Sequence, residues 1–260
     1  MDEVVYSGGD EGIVWAGLAL SECEDFESFL CGRVAERLND QEGEFNFQQH
    51  LAGLVTTGFE SECLQEILDA TVPEARDWAV GEAIAEAWLE WRSGVVWPWS
   101  SERDKKTPLA SLPGADLVGF VRQGEEFRLA LGEVKSSSDK KCPPNVMTGS
   151  KGMTQQLERL AVDRTLHSQL IRWLLPRCQG TEFEEAFNEA VKLFLRSRAR
   201  DISLFGVLIR DVNPDEADLK RRGQKLSSLL TSPTTCELLA LYLPCPISDL
   251  PGRIQQGGLS

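Results

Sequence analysis

Two spacings of apolar residues recur along the chain from about residue 73 onward. Apolar residues three or four positions apart predict a helix that reaches about Arg92, with a buried stripe formed by Val80, Ile84, Trp88 and Trp91. Apolar residues that alternate with polar ones predict two strands, at 115–122 and 126–137, and the Gln123-Gly124 step between them favours a turn. We therefore expect these two strands to pair as an antiparallel hairpin.

The same two spacings predict the other elements. Helices are predicted at 24–38, 60–69, 153–175, 182–198 and from Pro214 to about Leu230. Strands are predicted at 13–20, 201–210 and 236–244, and residues 95–99 are expected to form a short strand or a loop. From Pro73 the predicted order is helix, short strand, two strands, two helices, strand, helix and strand. Helices interleaved with strands in this way are typical of an α/β fold with a mixed sheet.

The charge of the chain is unevenly distributed. The formal net charge is −14, and residues 1–72 hold 16 acidic and 2 basic side chains, whereas residues 73–260 hold 25 of each sign. A break at Thr71-Val72-Pro73 coincides with this change. We therefore predict two domains, an acidic N-terminal α+β module at 1–72 and a larger domain at 73–260. Residues 135–225 are mildly basic, with 17 Lys and Arg against 12 Asp and Glu.

Several classes of protein are disfavoured by composition and motif. No run of 18 apolar residues is present, and the acidic start MDEVVYSGGDEG lacks the basic and apolar regions of a secretory signal. We therefore expect a cytoplasmic protein that does not span a membrane. Seven scattered cysteines without a CxxC pair argue against a zinc site or a disulfide framework. His50 and His167 lie in distant segments, and a structural role is the better interpretation of His167, on the apolar face of its helix.

Charged residues interrupt the second strand of the predicted hairpin. In LALGEVKSSS (129–138), Glu133 and Lys135 are two positions apart, so both side chains leave the same face of the strand. Asp116 lies 17 residues before Glu133, and the hairpin can bring it alongside. Two converging carboxylates are stabilised by a shared hard cation, and a neighbouring lysine can orient or deprotonate a water or stabilise charge on a phosphate. These parts suit hydrolysis of a phosphodiester bond.

This arrangement resembles the PD-(D/E)xK nuclease superfamily over about residues 73–245. The resemblance implies a restriction-endonuclease-like core of helix, three strands, helix and strand. It also implies that Asp116 and Glu133 bind Mg²⁺ or Mn²⁺ and that Lys135 positions or activates the attacking water. The Pro-Asp step of the superfamily is not literal here, because Ala115 precedes the aspartate and Pro113 lies three residues before it.

Two further site residues are implied by the same resemblance. Many members place a glutamate on the first core helix, and in VGEAIAEAWLE (80–90) Glu82 is the closest match as an additional metal ligand, with Glu86 as the rival. Many members carry a glutamine or lysine early in the helix that follows the lysine strand. The segment KGMTQQLERL (151–160) offers Gln155, which would hold the lysine or the substrate backbone, with Gln156 as the alternative.

A narrower resemblance is to the nuclease subunit of the Hachiman anti-phage defence system. It rests on the GEVK strand, the glutamine-bearing helix, LFGVLIRDV (204–212) and LLALYLP (238–244). It implies that the substrate is DNA and that the partner is a helicase subunit. An acidic N-terminal quarter suits a nuclease whose DNA is delivered by a partner, because like charges repel. We therefore predict a Mg²⁺-dependent deoxyribonuclease that acts in an anti-phage complex.

Other interpretations of these residues remain open. The chain could instead be a catalytically silent protein that keeps the nuclease fold and whose acidic N-terminal region docks a basic surface. Glu133 and Lys135 alone would also fit a solvent-facing ion pair at a strand end. Two basic clusters are either phosphate contacts or ordinary solvated helix faces: Arg196, Arg198 and Arg200, and Lys220, Arg221, Arg222 and Lys225.

Overall fold

The computed structural model describes residues 2–69, 77–104 and 114–257. Within them, the strands are β1 (Asp2–Asp10), β2 (Ile13–Leu20), β3 (Val95–Val96), β4 (Leu117–Gln123), β5 (Glu126–Ser137), β6 (Ile202–Arg210) and β7 (Thr235–Tyr242). The helices are α1 (Glu24–Phe29), α2 (Ala35–Asn39), α3 (Gln41–Ala52), α4 (Gly58–Asp69), α5 (Asp77–Ser93), α6 (Met153–Val162), α7 (Arg164–Cys178), α8 (Glu184–Arg196), α9 (Lys220–Ser227) and α10 (Leu250–Gly257). A π-helical turn at Leu30–Val34 joins α1 to α2.

The described strands form one mixed sheet in the order β1-β2-β7-β6-β5-β4-β3. The four strands β2, β7, β6 and β5 are parallel, whereas β1 and the β4–β3 pair run antiparallel to their neighbours. The predicted hairpin is confirmed, and Gly124 in its turn has a φ of +63°, which favours glycine. The prediction of an α/β protein with a mixed sheet flanked by helices is likewise confirmed.

Helices cover both faces of this sheet, and the central strands bury alternate residues against each face. On one face, α1, α2, α5 and α10 pack against residues such as Val134 and Val207. On the other face, α6, α7, α8 and α9 pack against residues such as Leu131 and Leu208. Strand β6 is buried along its whole length, as expected of a parallel strand covered on both sides. Glu133 and Lys135 alternate with Val134, so they leave β5 on the α6 side of the sheet.

The single helix predicted at 153–175 is wrong, because the chain forms two helices there. The side chain of Asp163 accepts hydrogen bonds from the backbone N–H groups of Thr165 (3.0 Å) and Leu166 (3.1 Å). Asp163 therefore caps the start of α7 in an extended conformation, with φ −78° and ψ 98°, and α6 ends at Val162. Aspartate is among the residues that favour this capping position, so the apolar periodicity continues across a real break.

The predicted acidic module shares its sheet with the rest of the chain. Strand β2 pairs in parallel with β7, with Trp15 opposite Leu238, and β1 is added antiparallel at the edge. The π-helical turn also packs on α5, and the rings of Phe29 and Trp88 meet edge to face with centroids 5.9 Å apart. The predicted boundary between residues 72 and 73, the helix start at Pro73 and Pro113 all lie outside the described residues. In the part of the chain described, no helix combines the length and apolarity needed to cross a membrane.

Candidate active site

The pairing of β4 with β5 places Asp116 beside the charged segment of β5. Leu117 lies opposite Gly132 in the antiparallel register, so Asp116 lies one position beyond the last paired residue, at the level of Glu133. Its Oδ2 atom accepts a hydrogen bond of 2.9 Å from the backbone N–H of Val134. This bond fixes the carboxylate against β5. The juxtaposition of Asp116 with Glu133 and Lys135, expected from the hairpin, is therefore present.

Glu133 and Lys135 form an ion pair on the α6 side of the sheet. The Nζ atom of Lys135 donates to Oε1 of Glu133 and lies 4.0 Å from Oδ2 of Asp116. Glu133 is only 1% exposed, whereas the lysine side chain is 22% exposed. The interpretation as a solvent-facing strand-end pair does not fit this burial. One ammonium group is thus shared by two carboxylates at the rim of the core.

The carboxylate of Glu133 is held in an unfavourable environment for a negative charge. Burial and then the neighbouring charge of Asp116 raise the pKa of Glu133 to about 7, and the contact with Lys135 only partly offsets them. A buried carboxyl group with a like-charged neighbour is a feature more common in functional sites than in purely structural ones. Additional positive charge beside Glu133 and Asp116 would therefore stabilise their ionised forms.

The structure brings Gln156, rather than Gln155, to this pair. Nε2 of Gln156 donates to Oε1 of Glu133 at 2.7 Å and to the backbone carbonyl of Lys151 at 3.3 Å. Gln155 is exposed. Helix α6 begins at Met153 and buries Met153, Leu157 and Leu160, so its sheet-facing side includes position 156 while position 155 faces solvent. The contact with the site is thus made by Gln156, the alternative, and a role of Gln155 toward the substrate backbone stays a prediction.

A glycine in the neighbouring strand lets α6 approach the site closely. Gly206 pairs with Glu133 across β5 and β6. A Cβ atom at this position would lie 2.9 Å from Cδ1 of Leu157 and 3.0 Å from Sδ of Met153. A larger residue here would compete for the space that Leu157 and Met153 of α6 occupy. The sequence of β6 therefore contributes to the geometry of the pair on β5.

Glu82 lies on α5, which packs on the opposite face of the sheet from Glu133 and Lys135. The helix meets β5 at Gly81, where a Cβ atom would collide with Oγ of Ser136, the residue after Lys135. The N-terminal half of α5 is thus level with the charged end of β5. Glu82 and its rival Glu86 are both partly buried. The assignment of Glu82 as a metal ligand stays a prediction.

The donor set suits a hard divalent cation. Mg²⁺ in proteins is commonly held by one or two carboxylates, with waters and substrate phosphate completing its oxygen shell. Asp116 and Glu133 supply two such carboxylates, and their mutual repulsion would be relieved by the ion. Within residues 2–69, 77–104 and 114–257, no group of three or more His, Cys, Asp or Glu side chains is gathered as a metal site. A two-carboxylate site does not require such a group.

A buried ion pair that was not predicted from the sequence anchors the loop that follows β5. Arg210, at the end of β6, and Asp218 are both 0% exposed, with Nε of Arg210 3.2 Å from Oδ2 of Asp218. The guanidinium also donates to the backbone carbonyls of Ser137 and Lys141, each at 3.2 Å. Arg210 is the one charged residue in the apolar run ISLFGVLIR, and that isolation is a signal that could have identified it.

The two basic clusters seen in the sequence are partly engaged in local contacts. Lys220 pairs with Glu216 at 3.0 Å and Lys225 with Glu158 at 2.9 Å. Nε of Arg200 donates to the carbonyl of Ser197 at 3.2 Å. Three other lysines, Lys140, Lys141 and Lys151, are exposed in the loop between β5 and α6. That loop follows the strand of Lys135 in sequence and contacts Gln156 through the carbonyl of Lys151, so basic residues outside both predicted clusters adjoin the site.

The matched pair of glutamines gives a direct test of the site geometry. We expect Gln156→Ala to lower the free energy of unfolding by about 1–3 kcal/mol, because the buried carboxyl group of Glu133 loses a hydrogen-bond donor. Gln155→Ala should change it by less than about 0.5 kcal/mol, as is usual for exposed positions. Urea unfolding followed by circular dichroism measures both. Equal effects of the two substitutions would contradict the contact between Gln156 and Glu133.

Comparison with known proteins adds no assignment to this geometry. No protein-family model matches the chain, and no curated protein sequence matches it.

Proposed function

We propose that this chain is a divalent-metal-dependent nuclease of the PD-(D/E)xK type that hydrolyses phosphodiester bonds in DNA. The observation that carries the proposal is the convergence of Asp116, Glu133 and Lys135 at one end of the β4–β5 hairpin. The chain order of α5, β3, β4, β5, the helices α6 to α8 and β6, with β6 parallel to β5, supports a restriction-endonuclease-like core.

Each residue of the site has a distinct role in this proposal. Asp116 and Glu133 would hold Mg²⁺ or Mn²⁺, which when bound polarises a phosphate oxygen and acidifies a water. Lys135 places its amino group beside both carboxylates, where it can orient the attacking water and stabilise the charge that grows on the phosphate. Gln156 fixes the Glu133 carboxylate through its hydrogen bond. Glu82 is retained as a further candidate metal ligand.

The biological setting is proposed on the resemblance to the Hachiman nuclease subunit. In that setting the chain is the DNA-cleaving effector of an anti-phage complex and works with a helicase subunit. The distribution of charge supports a partner, because residues 1–72 hold 16 acidic and 2 basic side chains. Such a region repels free nucleic acid and favours a protein that brings DNA to the site.

Metal dependence is the experiment that tests the activity. We expect the purified chain, alone or with its helicase partner, to cleave linear DNA in the presence of Mg²⁺ or Mn²⁺ and to lose that activity when EDTA removes the metal. Titration calorimetry should show Mn²⁺ uptake by the wild type and a loss of uptake in Glu133→Ala, because one of two carboxylate ligands is gone. Metal-independent cleavage, or uptake unchanged in Glu133→Ala, would overturn the proposal.

A second candidate function is favoured by the exposure of the acidic helices α3 and α4. The described side chains of α4 include no buried residue, and those of α3 are exposed or partly buried. A catalytically silent protein of the same fold could use such helices to dock a basic surface. The calorimetric experiment separates the two functions, because a silent protein has no need of a metal site and should show no uptake of Mn²⁺.

A further inference from the structure

Helices α3 and α4 form an acidic arm, which we define as residues 41–69. Six of its side chains are acidic and none is Lys or Arg: Glu42, Glu44, Glu60, Glu62, Glu66 and Asp69. The arm is tied to the body at its base, where Arg103 donates to Asp40 at 2.7 Å and to Glu42 at 2.6 Å. Beyond that base, its helices contact mainly each other and α2.

The acidic arm presents large apolar side chains to solvent. Phe59 is 81% exposed, Leu54 63%, Phe45 58% and Phe47 44%. Helices of this length are marginal in water unless an apolar face is buried, and neither helix supplies such burial by itself. Several exposed aromatic residues on one short, charged segment are typical of a protein interaction surface.

A groove with a positively charged rim lies between α7 and α8, on the face of the sheet opposite α2 and α5. Its volume is about 460 Å³, and its walls include His167, Ile171, Phe194, and two exposed leucines, Leu175 (48%) and Leu195 (66%). Two exposed arginines, Arg164 and Arg172, stand at its rim, and its nine lining residues include no Asp or Glu. The buried ring of His167 closes the floor, with Nε2 2.5 Å from the carbonyl of Leu160.

We propose that the acidic arm of one copy of this chain docks in the α7–α8 groove of a second copy. Both surfaces are apolar, because the groove has walls of leucine, isoleucine and phenylalanine and the arm has exposed phenylalanines. Their charges also match, since an arm of six carboxylates and no Lys or Arg meets a rim of arginines. This inference is independent of the proposed nuclease activity.

The geometry within one chain leaves both surfaces open. Leu175 and Leu195 of the groove and Phe45 and Phe59 of the arm are all exposed, so the arm does not fill the groove of its own chain. A second copy can satisfy both surfaces at once. Two such contacts related by a twofold axis would close a dimer, with each arm in the groove of the partner. The interface of this dimer buries apolar surface at its centre and is stabilised by charge pairs at its edge.

Sedimentation velocity on the full chain tests this pairing. We expect wild type to associate reversibly from micromolar concentration upward, and more weakly at high salt because arginine–carboxylate attraction is screened. Phe59→Ser in the arm and Leu195→Glu in the groove should each weaken association by about tenfold or more, as substitutions at interface anchors do. Both positions are exposed in the single chain, so the fold should be preserved. Leu229→Glu, at a leucine 46% exposed outside both surfaces, is the matched control.

Mixing the two variants gives the decisive result. Phe59→Ser retains a native groove and Leu195→Glu retains a native arm, so an equimolar mixture keeps one intact contact per dimer and should associate more tightly than either variant alone. A wild type that stays monomeric at all concentrations would overturn the proposal. Association that neither variant weakens, or that the mixture fails to restore, would equally show that arm and groove do not meet.

Discussion

Replacing Lys135 with alanine is expected to lower the rate of Mg²⁺-dependent DNA cleavage by about 10²–10³-fold, the range found when a single charge-stabilising donor is removed from an active site. The ammonium group contacts Glu133 and lies 4.0 Å from Asp116, so it is placed to stabilise charge between the carboxylates and a phosphate. Single-turnover cleavage of a labelled duplex measures the chemical step without the contribution of product release.

Metal uptake separates a catalytic role of Lys135 from a structural one. Both carboxylates remain in Lys135→Ala, so titration calorimetry should still show Mn²⁺ binding even though cleavage is lost. Lys192→Ala is the matched control, because Lys192 is an exposed lysine of α8 whose neighbours are Glu185 and Glu189 rather than the carboxylates of the site. It should cleave at the wild-type rate. A Lys135→Ala protein that cleaves DNA as fast as wild type would remove this lysine from the mechanism.

The relative positions of the site residues can be predicted from the sequence where they depend on local geometry. Strand alternation alone places Glu133 and Lys135 on one face, and the turn at Gly124 is a local feature that sets the register bringing Asp116 alongside. No long-range information is needed for these three residues, because they lie on two strands joined by a tight turn. The hairpin and its charged end are therefore predictable from the amino-acid sequence alone.

Gln156 shows why the rest of the site is harder to predict. Each step along a helix turns the side chain by about 100°, so an error of one residue moves it from the sheet-facing side to solvent. The start of α6 is set by the loop at 138–152 and by the close approach to Gly206, and neither is a periodic signal. Choosing between two adjacent glutamines required the packing of α6 on β6.

Long-range pairing explains why strand β1 and the place of β2 in the sheet were not predicted from the sequence. Strand β1 carries two consecutive glycines, Gly8 and Gly9, which weaken any strand pattern, and it is held in place by β2. Strand β2 in turn pairs with β7, which lies near the opposite end of the chain. The excess of acidic residues sets the N-terminal segment apart in the sequence. Its place in the sheet depends instead on apolar contacts that only the folded chain brings together.

Arg210→Met is expected to lower the free energy of unfolding by about 3–5 kcal/mol, the cost of removing one partner of a buried ion pair. The methionine would occupy similar volume but leave Asp218 without its guanidinium partner, although Tyr242 would still donate to that carboxylate at 2.9 Å. The carbonyls of Ser137 and Lys141 would also lose their donor. Urea unfolding at neutral pH measures the loss, and Lys220→Met, which breaks an exposed pair with Glu216, should cost about 0–0.5 kcal/mol.

The pH dependence of that loss identifies Asp218 as its source. Burial raises the pKa of the Asp218 carboxyl group even though Tyr242 and Arg210 act in the opposite direction, so the ionised form is disfavoured in the folded state. Without Arg210 this pKa rises further, and the folded variant is penalised most at pH values where the carboxylate must be charged. Acidification protonates Asp218 and should narrow the gap to wild type. Removing both charges in Arg210→Met/Asp218→Leu should recover part of the stability, because no unpaired charge is then buried. A stability difference from wild type that is independent of pH, with no recovery in the double variant, would assign the loss to packing instead.

The same substitution should affect activity. Because Ser137 lies two residues beyond Lys135, Arg210→Met should also slow DNA cleavage while leaving Asp116, Glu133 and Lys135 unchanged in sequence.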